Sequence, residues 1–395
     1  MPVLPRRSRL NHCHNIDDLR EAARNRLPRF IFDYLEGGAD DEFTLNRNRS
    51  VFAEYYLLQR VLVDIAGIDT STTVLGEKVA LPIILTSTGA NRLYHPDGEL
   101  AVARAAAEAN IIQILAATAM VSFDDVAAET DRPKWCQMYM LKDRGFTREL
   151  TAHCRNLGYR AMVLTADCTV AGNRERDYRN RFTLPPKPTL KTLQQLSVRP
   201  GWLWEYLRSP AYSFPNFAGA LDSHDDVASI VQWFGNQMDT TFTWEDAAKL
   251  AEEWDGPFVI KGITSVEDAR LAAEVGAHGI SLSSHGGRQL DHAPSPMEVL
   301  QEVVDSVGDK LEVFIDSGFR RGTDIIKALA LGARACLIGR PYLYGLTAGG
   351  EAGVTRTIEI LRSELERDMA LMGITSIAGI TPDCLRRRRA GYLNF

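Results

Sequence analysis

The chain reads as an α/β protein: a (β/α)8 TIM barrel with an N-terminal helical segment and a long insertion after its fourth strand. Two observations predict this, and a third removes the main rival. Eight short apolar runs recur from residue 81 onward, most followed by a polar turn and a helical pattern. Short apolar runs alternating with helices indicate a parallel sheet covered on both faces. Eight such units suit a closed barrel better than an open doubly wound sheet. No G-x-G-x-x-G follows a strand, so the dinucleotide-binding alternative lacks its first-turn fingerprint.

The leading residues 17–36 (DDLREAARNRLPRFIFDYLE) are amphipathic, with a break expected near Pro28 and an end at Gly37-Gly38. Residues 1–80 form a helical extension that closes the bottom or top of the barrel. The strands are read at 81–88 (LPIILTST), 111–117 (IIQILAA), 134–140 (KWCQMYM) and 161–167 (AMVLTAD). After an interruption they resume at 257–263 (PFVIKGI), 279–284 (GISLSS), 312–318 (EVFIDSG) and 335–340 (ACLIGR). Ser265, with Glu267 and Asp268, marks one helix start, and Gly276 and Gly332 mark two helix ends. The interruption far exceeds an ordinary βα loop. Its last part, 243–253, is the helix owed to strand four. Residues 188–235 are an insertion on the face where barrel active sites lie. It carries Trp202, Trp204, Tyr206, Leu207, Phe214, Phe217, Trp233 and Phe234, which suits either a lid or an anchor at a membrane interface. The net negative charge favours the lid.

Apolar residues make up 45% and charged residues 24%, which excludes disorder and collagen. Lysine and arginine number 45 against 51 acidic residues, net −6, which speaks against a nucleic-acid partner. None of the six cysteines forms a C-x-x-C pair, and their spacing suits neither zinc nor a disulfide framework, so no metal is expected. Cys136, Cys168 and Cys336 sit in or beside apolar runs and read as buried reduced thiols, which implies the cytosol. No secretory h-region follows the first residues, and no apolar run reaches a membrane-spanning length.

In such a barrel the C-terminal strand ends share one pocket. They present Ser87, Thr88 and Gly89; Gln137 and Tyr139; Thr165 and Asp167, with Arg174 beyond; Lys261; Ser283 to Arg288; Asp316 to Arg320; and Gly339 with Arg340. Glycines 318 and 339 let backbone N–H groups approach an anion, and Arg320 and Arg340 add charge-assisted bonds. A phosphate-bearing ligand follows; the competing reading pairs each arginine with a barrel carboxylate. His285 with Asp167 makes a positioned base. Arg174 and Arg288 match a substrate carboxylate. The paired glycines beside His285 suggest room for a ligand. Lys261 fits a Schiff base, a carboxylate partner or an anionic cofactor, and composition leaves the three open.

SHGGRQLD, IDSGFRRGTD and IGRP, together with FDYLEGGADDE, resemble the FMN-dependent 2-hydroxy acid oxidase and dehydrogenase family. RERDYRNRF and SPMEVL read most like its (S)-mandelate dehydrogenases. The resemblance covers about residues 15–385 and implies one FMN-binding domain over the whole chain. It implies His285 as base and Asp167 as its orienting partner, with the substrate carboxylate held by Arg174 and Arg288, aided by Tyr34 and Tyr139. Lys261 would lie along the flavin, with Gln137, Thr165 and Ser283 on its polar atoms and Ser87, Thr88 and Gly89 passing beside it. Asp316, Ser317, Gly318, Phe319, Arg320, Gly339 and Arg340 would hold the ribityl chain and phosphate.

Four departures stand out: Ser284 replaces a usual Asn, Ser87 a common Pro, Ala116 a common Ser, and Thr118 a large Trp of the glycolate enzyme. The last implies a wider pocket and a mandelate-like or medium-sized (S)-2-hydroxy acid. Gly89, where oxidases usually carry Ala, leans towards a dehydrogenase. The acceptor is O2 or a quinone, and carbanion and hydride routes both need the base. The resemblance also implies a homotetramer, in the cytoplasm or peripheral at the inner face of the membrane. An (S)-lactate dehydrogenase or oxidase is the near alternative. An isomerase on a flavin- or phosphosugar-binding barrel is the alternative from another class.

Overall fold

The eight apolar runs form a closed parallel barrel in the computed structural model of the chain, which describes residues 10–186, 189–220 and 233–388. In chain order the strands are β1 (Ile83–Leu85), β2 (Ile112–Ala116), β3 (Lys134–Tyr139), β4 (Ala161–Thr165), β5 (Phe258–Ile263), β6 (Gly279–Leu282), β7 (Glu312–Ile315) and β8 (Ala335–Ile338). Each pairs with its sequence neighbours, and β8 closes on β1 through Cys336↔Ile83 and Leu337↔Ile84. Nearly every strand residue is buried, because helices cover the outside and side chains fill the inside. Ile84, Ile114, Trp135, Val163, Val259, Phe314 and Leu337 belong to the inner cluster, a packed core in place of a pore.

The leading segment serves both ends of the barrel. Asn15 caps the helix Ile16–Arg26 by accepting from the Asp18 N–H, and Pro28 separates it from the helix Arg29–Glu36. That second helix carries Tyr34 to the cavity at the C-terminal strand ends. The hairpin Thr72–Val74 and Glu77–Val79 plugs the opposite end: Val74 and Val79 join the inner cluster, and the Leu75 N–H donates to Glu312 at the start of β7. The helix ends fall where the sequence puts them. Ser265 caps Val266–Glu274, and Gly276 and Gly332 adopt φ of +82° and +97°.

Between β4 and the helix Trp244–Trp254 the chain forms the helices Glu175–Asn180, Leu190–Ser197 and Pro200–Arg208. Residues 1–9 of the extension and 188 and 221–232 of the insertion lie outside the described residues. Trp202, Phe214 and Phe217 are buried, whereas Leu190, Leu193, Trp204 and Leu207 are exposed. Among the described residues, no helix is long and apolar enough to cross a membrane.

Candidate active site

A cavity of about 1170 Å³ opens at the C-terminal ends of the strands. Seventeen of the twenty sequence-predicted site residues line it; Asp167, Gln137 and Ser283 do not. Asp167 and Ser283 nevertheless hold residues that do.

The His285 imidazole lies with Nδ1 3.0 Å from Asp167 Oδ1. Burial alone would raise the Asp167 carboxyl, but His285 and Lys261 together hold it down at about 2. An ionised Asp167 accepts the Nδ1 proton and leaves the imidazole lone pair on Nε2. Two backbone features produce this pairing. A bulge in β5 at Gly262, with φ +107°, brings the strand against Asp167, where a Cβ would sit 2.7 Å from the Asp167 side chain. His285, Gly286 and Gly287 all take positive φ, and the His285 N–H donates to Ser283 Oγ at 3.0 Å.

The paired glycines correct one expectation in part. Gly286 lines the cavity, although a Cβ on it would meet the Arg340 guanidinium at 2.8 Å, whereas Gly287 does not line it and a Cβ there would meet the Leu45 backbone at 2.6 Å. They are glycines because the turn is left-handed and closely packed.

Lys261 finds a carboxylate partner inside the protein. Its Nζ is 2.9 Å from Asp316 Oδ2 and donates to Ser283 Oγ at 2.7 Å. Burial pulls its pKa down, and Asp316 with Asp167 overcomes this, so the ammonium stays charged. Ser317 in turn donates to Asp316 Oδ1 and accepts from the Gly286 N–H. The loops after β5, β6 and β7 are thus one hydrogen-bonded unit beneath the cavity. Ser284 belongs to it, bridging Asn48 and Ser317.

Arg288 and Arg174 form the cationic side. Arg288 donates to the Tyr34 and Gly37 carbonyls and lies 5.1 Å above the Tyr34 ring. Burial and the neighbouring Arg174 both lower its pKa. Two guanidinium groups that repel one another make a site an anion relieves.

The other anion site lies after β7 and β8. The helix Arg340–Gly349 starts there with no side-chain cap, and a bare helix N-terminus attracts phosphate. Arg340 bonds the carbonyls of Leu35, Gly286 and Gly37, so it orders the loops as well as charging them. Arg320 donates to the Tyr344 hydroxyl, which donates to Glu36, and its own Nε is buried without a partner. Gly318, at φ +92°, packs so closely that a Cβ would lie 1.9 Å from Asn48 O. The Thr88 hydroxyl is occupied by Asn91 and Tyr342, leaving its backbone to face the cavity.

These features fit FMN. The cavity exceeds the space one small ligand needs, a helix N-terminus and two arginines stand at one end, and Arg320, which lines it, has a buried Nε without a protein partner.

Three residues escaped the sequence reading. Cys168 is a correction: it is half-buried and lines the cavity, 3.4 Å from His285 Nδ1, because it follows Asp167 out of β4 into the loop. Asp177, in the RERD run, lines the cavity beside the two arginines; a charge run on a short helix ordinarily signals a solvated face. Glu99 is wholly buried, accepting from the Asn91 and Met120 N–H groups at 3.1 Å each. It ties the loop after β1 to the loop after β2. An acidic residue in a first helical turn usually needs no more explanation than the dipole, so no signal marked it.

Burial raises the Glu99 carboxyl to about 7 against the opposing pull of those N–H groups. The folded chain therefore binds a proton that the unfolded chain releases near 4.5, and this residue's contribution falls as pH rises through that window, by about 3 kcal/mol. Glu99→Gln, measured by urea unfolding, is expected to match the parent near pH 4 and to exceed it at pH 8. A difference independent of pH would count against the assignment.

A family model described as FMN-dependent dehydrogenase matches residues 23–387. L-lactate dehydrogenase of Caulobacter vibrioides is 41% identical over 377 residues, 95% of this chain and 98% of that protein. (S)-Mandelate dehydrogenase of Pseudomonas putida is 39% identical over 372 residues, 94% of this chain and 93% of that protein. The crystal structure of the monotopic membrane protein (S)-mandelate dehydrogenase superposes with a TM-score of 0.92 at 38% identity, covering 95% of this chain and 100% of that one. The match over nearly the whole chain shows that this protein belongs to the FMN-dependent dehydrogenase family.

Proposed function

We propose that the chain is an FMN-dependent oxidoreductase that converts a mandelate-like or medium-sized (S)-2-hydroxy acid to the 2-oxo acid, working as one FMN-binding unit. The observation that carries this reading is His285, held 3.0 Å from the Asp167 carboxylate, in a cavity that Arg174 and Arg288 also line. Bound FMN supplies a two-electron acceptor. The arginines hold the substrate carboxylate, with the Tyr34 and Tyr139 hydroxyls beside it. His285 Nε2 takes the proton, from carbon or from oxygen, and Asp167 stabilises the imidazolium that results. Lys261, Gln137, Thr165, Ser283 and the loops at Ser87–Gly89, Asp316–Arg320 and Gly339–Arg340 hold the cofactor. An isomerase would have no use for two carboxylate-binding arginines beside a base.

Substrate size follows from Thr118, which lines the cavity where a larger residue would narrow it. The test is anaerobic flavin bleaching with glycolate, (S)-lactate, (S)-mandelate and longer 2-hydroxy acids. Mandelate-like or medium-chain acids are expected to exceed glycolate in kcat/KM; glycolate as the best substrate would refute the size argument. Reoxidation with air and with a quinone analogue then separates oxidase from dehydrogenase. The resemblance at Gly89 supports the dehydrogenase reading, and the packing here keeps the glycine, since a Cβ would stand 2.5 Å from Thr118 Oγ1.

A second reading concerns the insertion. Its inward aromatics, Phe214 and Phe217, line the cavity as a lid, while Leu190, Leu193, Trp204 and Leu207 face outward. Exposed apolar clusters mark contact surfaces, and a relative of closely similar fold is described as monotopic. We propose that this outer face rests on the inner face of the cytoplasmic membrane. Co-sedimentation with anionic vesicles is expected for the parent and lost when Leu193, Trp204 and Leu207 are all made Gln. If the parent stays in the supernatant, the face serves another contact. Light scattering checks the homotetramer that the resemblance implies.

A further inference from the structure

Three side chains at the base lie unusually close together. His285 Nδ1, Asp167 Oδ1 and Cys168 Sγ form a triangle with sides of 3.0 Å (N to O), 3.4 Å (N to S) and 3.5 Å (S to O). Tetrahedral zinc holds nitrogen and oxygen at about 2.0–2.2 Å and sulfur at about 2.3 Å, which separates its ligands by about 3.3–3.6 Å. The protein edges match that spacing within about 0.3 Å, so little rearrangement is needed to seat an ion above the triangle. Cys168 and His285 line the cavity, which leaves a fourth corner open to water or to a substrate oxygen. The donor set of imidazole, thiolate and carboxylate suits zinc and disfavours magnesium or calcium. Of the cations that act on the cluster, Lys261 is paired with Asp316 at 2.9 Å, and Lys261 and Arg174 both favour the Cys168 thiolate. No ligand motif announces the site, because two donors are adjacent in sequence and the third is over a hundred residues away.

We propose that Zn²⁺ binds at Asp167, Cys168 and His285 and holds the enzyme inactive. The inhibitory half rests on the reading of His285 as the base; the binding half does not. As the ion enters, the His285 ring proton moves from Nδ1 to Nε2, so Nδ1 offers its lone pair, and Asp167 supplies a carboxylate oxygen. The Cys168 thiol releases one proton to solvent as its sulfur bonds the ion, and nothing is oxidised or reduced. With Nδ1 on the metal, the remaining ring proton sits on Nε2, so the imidazole has no lone pair left to act as a base. Cys168 supplies the third ligand; without it only an Asp–His pair remains.

The test uses the FMN-loaded enzyme. Equilibrium dialysis against ZnCl2 is expected to show one ion per chain, with one proton released per ion in weakly buffered solution. Cys168→Ser is expected to weaken uptake at least about tenfold, since loss of even an outer-shell partner costs that much. Cd²⁺ is expected to produce a thiolate charge-transfer band in the parent and none in Cys168→Ser. Absence of stoichiometric uptake, or uptake and band unchanged in Cys168→Ser, would overturn the site. Anaerobic flavin bleaching at saturating substrate is expected to fall in proportion to zinc occupancy. Full bleaching with the site filled would overturn the inhibitory half. Whether His285 is the base is judged separately, without zinc, by the variant discussed next.

Discussion

Replacing His285 with Asn is expected to leave FMN bound and to slow flavin reduction by a 2-hydroxy acid at least about a hundredfold, the low end for losing a positioned base. Asn is chosen because residue 285 sits at φ +53°, a left-handed conformation that Asn tolerates better than most residues. Its backbone N–H can still donate to Ser283, so the turn that leads to Gly286 and Gly287 is kept. The variant therefore removes the lone pair and little else. FMN content from the visible spectrum and anaerobic stopped-flow bleaching are read together. Near-normal bleaching would sink the assignment of the base. Lost FMN would instead place His285 in the cofactor scaffold.

Lys261→Met is expected to cost about 3–5 kcal/mol, the range for removing one partner of a buried ion pair. Lys261 and Asp316 expose 5% and 9% of their side chains, so the orphaned carboxylate could not recover its hydration. It would keep the Ser317 hydroxyl as a donor but no positive charge. The same ammonium donates to Ser283, which anchors the His285 backbone, so the variant is also expected to purify with less FMN. Denaturant unfolding checks the first effect and cofactor stoichiometry the second. Adding Asp316→Asn should restore much of the lost stability, because the unpaired charge is then gone. A loss below about 1 kcal/mol, the scale of an exposed pair, would mean that the pair is hydrated in solution.

The barrel was legible because its cause is local and repeated. Each of the eight strands is buried on nearly its whole length, so each is written as a mainly apolar run, such as AMVL in β4 or FVI at the start of β5. The helix start at Ser265 and the stops at Gly276 and Gly332 are likewise set by one or two residues. Most of the candidate site could be named for a related reason: once the strands are located, the fold carries their C-terminal ends to a single cavity.

What the residues do to one another was not legible. Lys261 left three readings open until Asp316, on another strand, was seen at 2.9 Å. Cys168 resembled any thiol beside an apolar run until the turn after β4 set it against His285. Gly286 and Gly287 suggested space, yet only Gly286 lines the cavity, and Gly287 packs on the Leu45 backbone. The sequence by itself determined which elements form, in what order, and which polar residues reach the mouth of the barrel, because burial and capping act on neighbours along the chain. Only the tertiary structure decided which charges are paired, which carboxyl keeps its proton up to about pH 7 and which stays ionised. Those depend on distances of about 3 Å between loops remote in sequence, where the cost of an unpaired buried group is set by whatever the fold brings beside it.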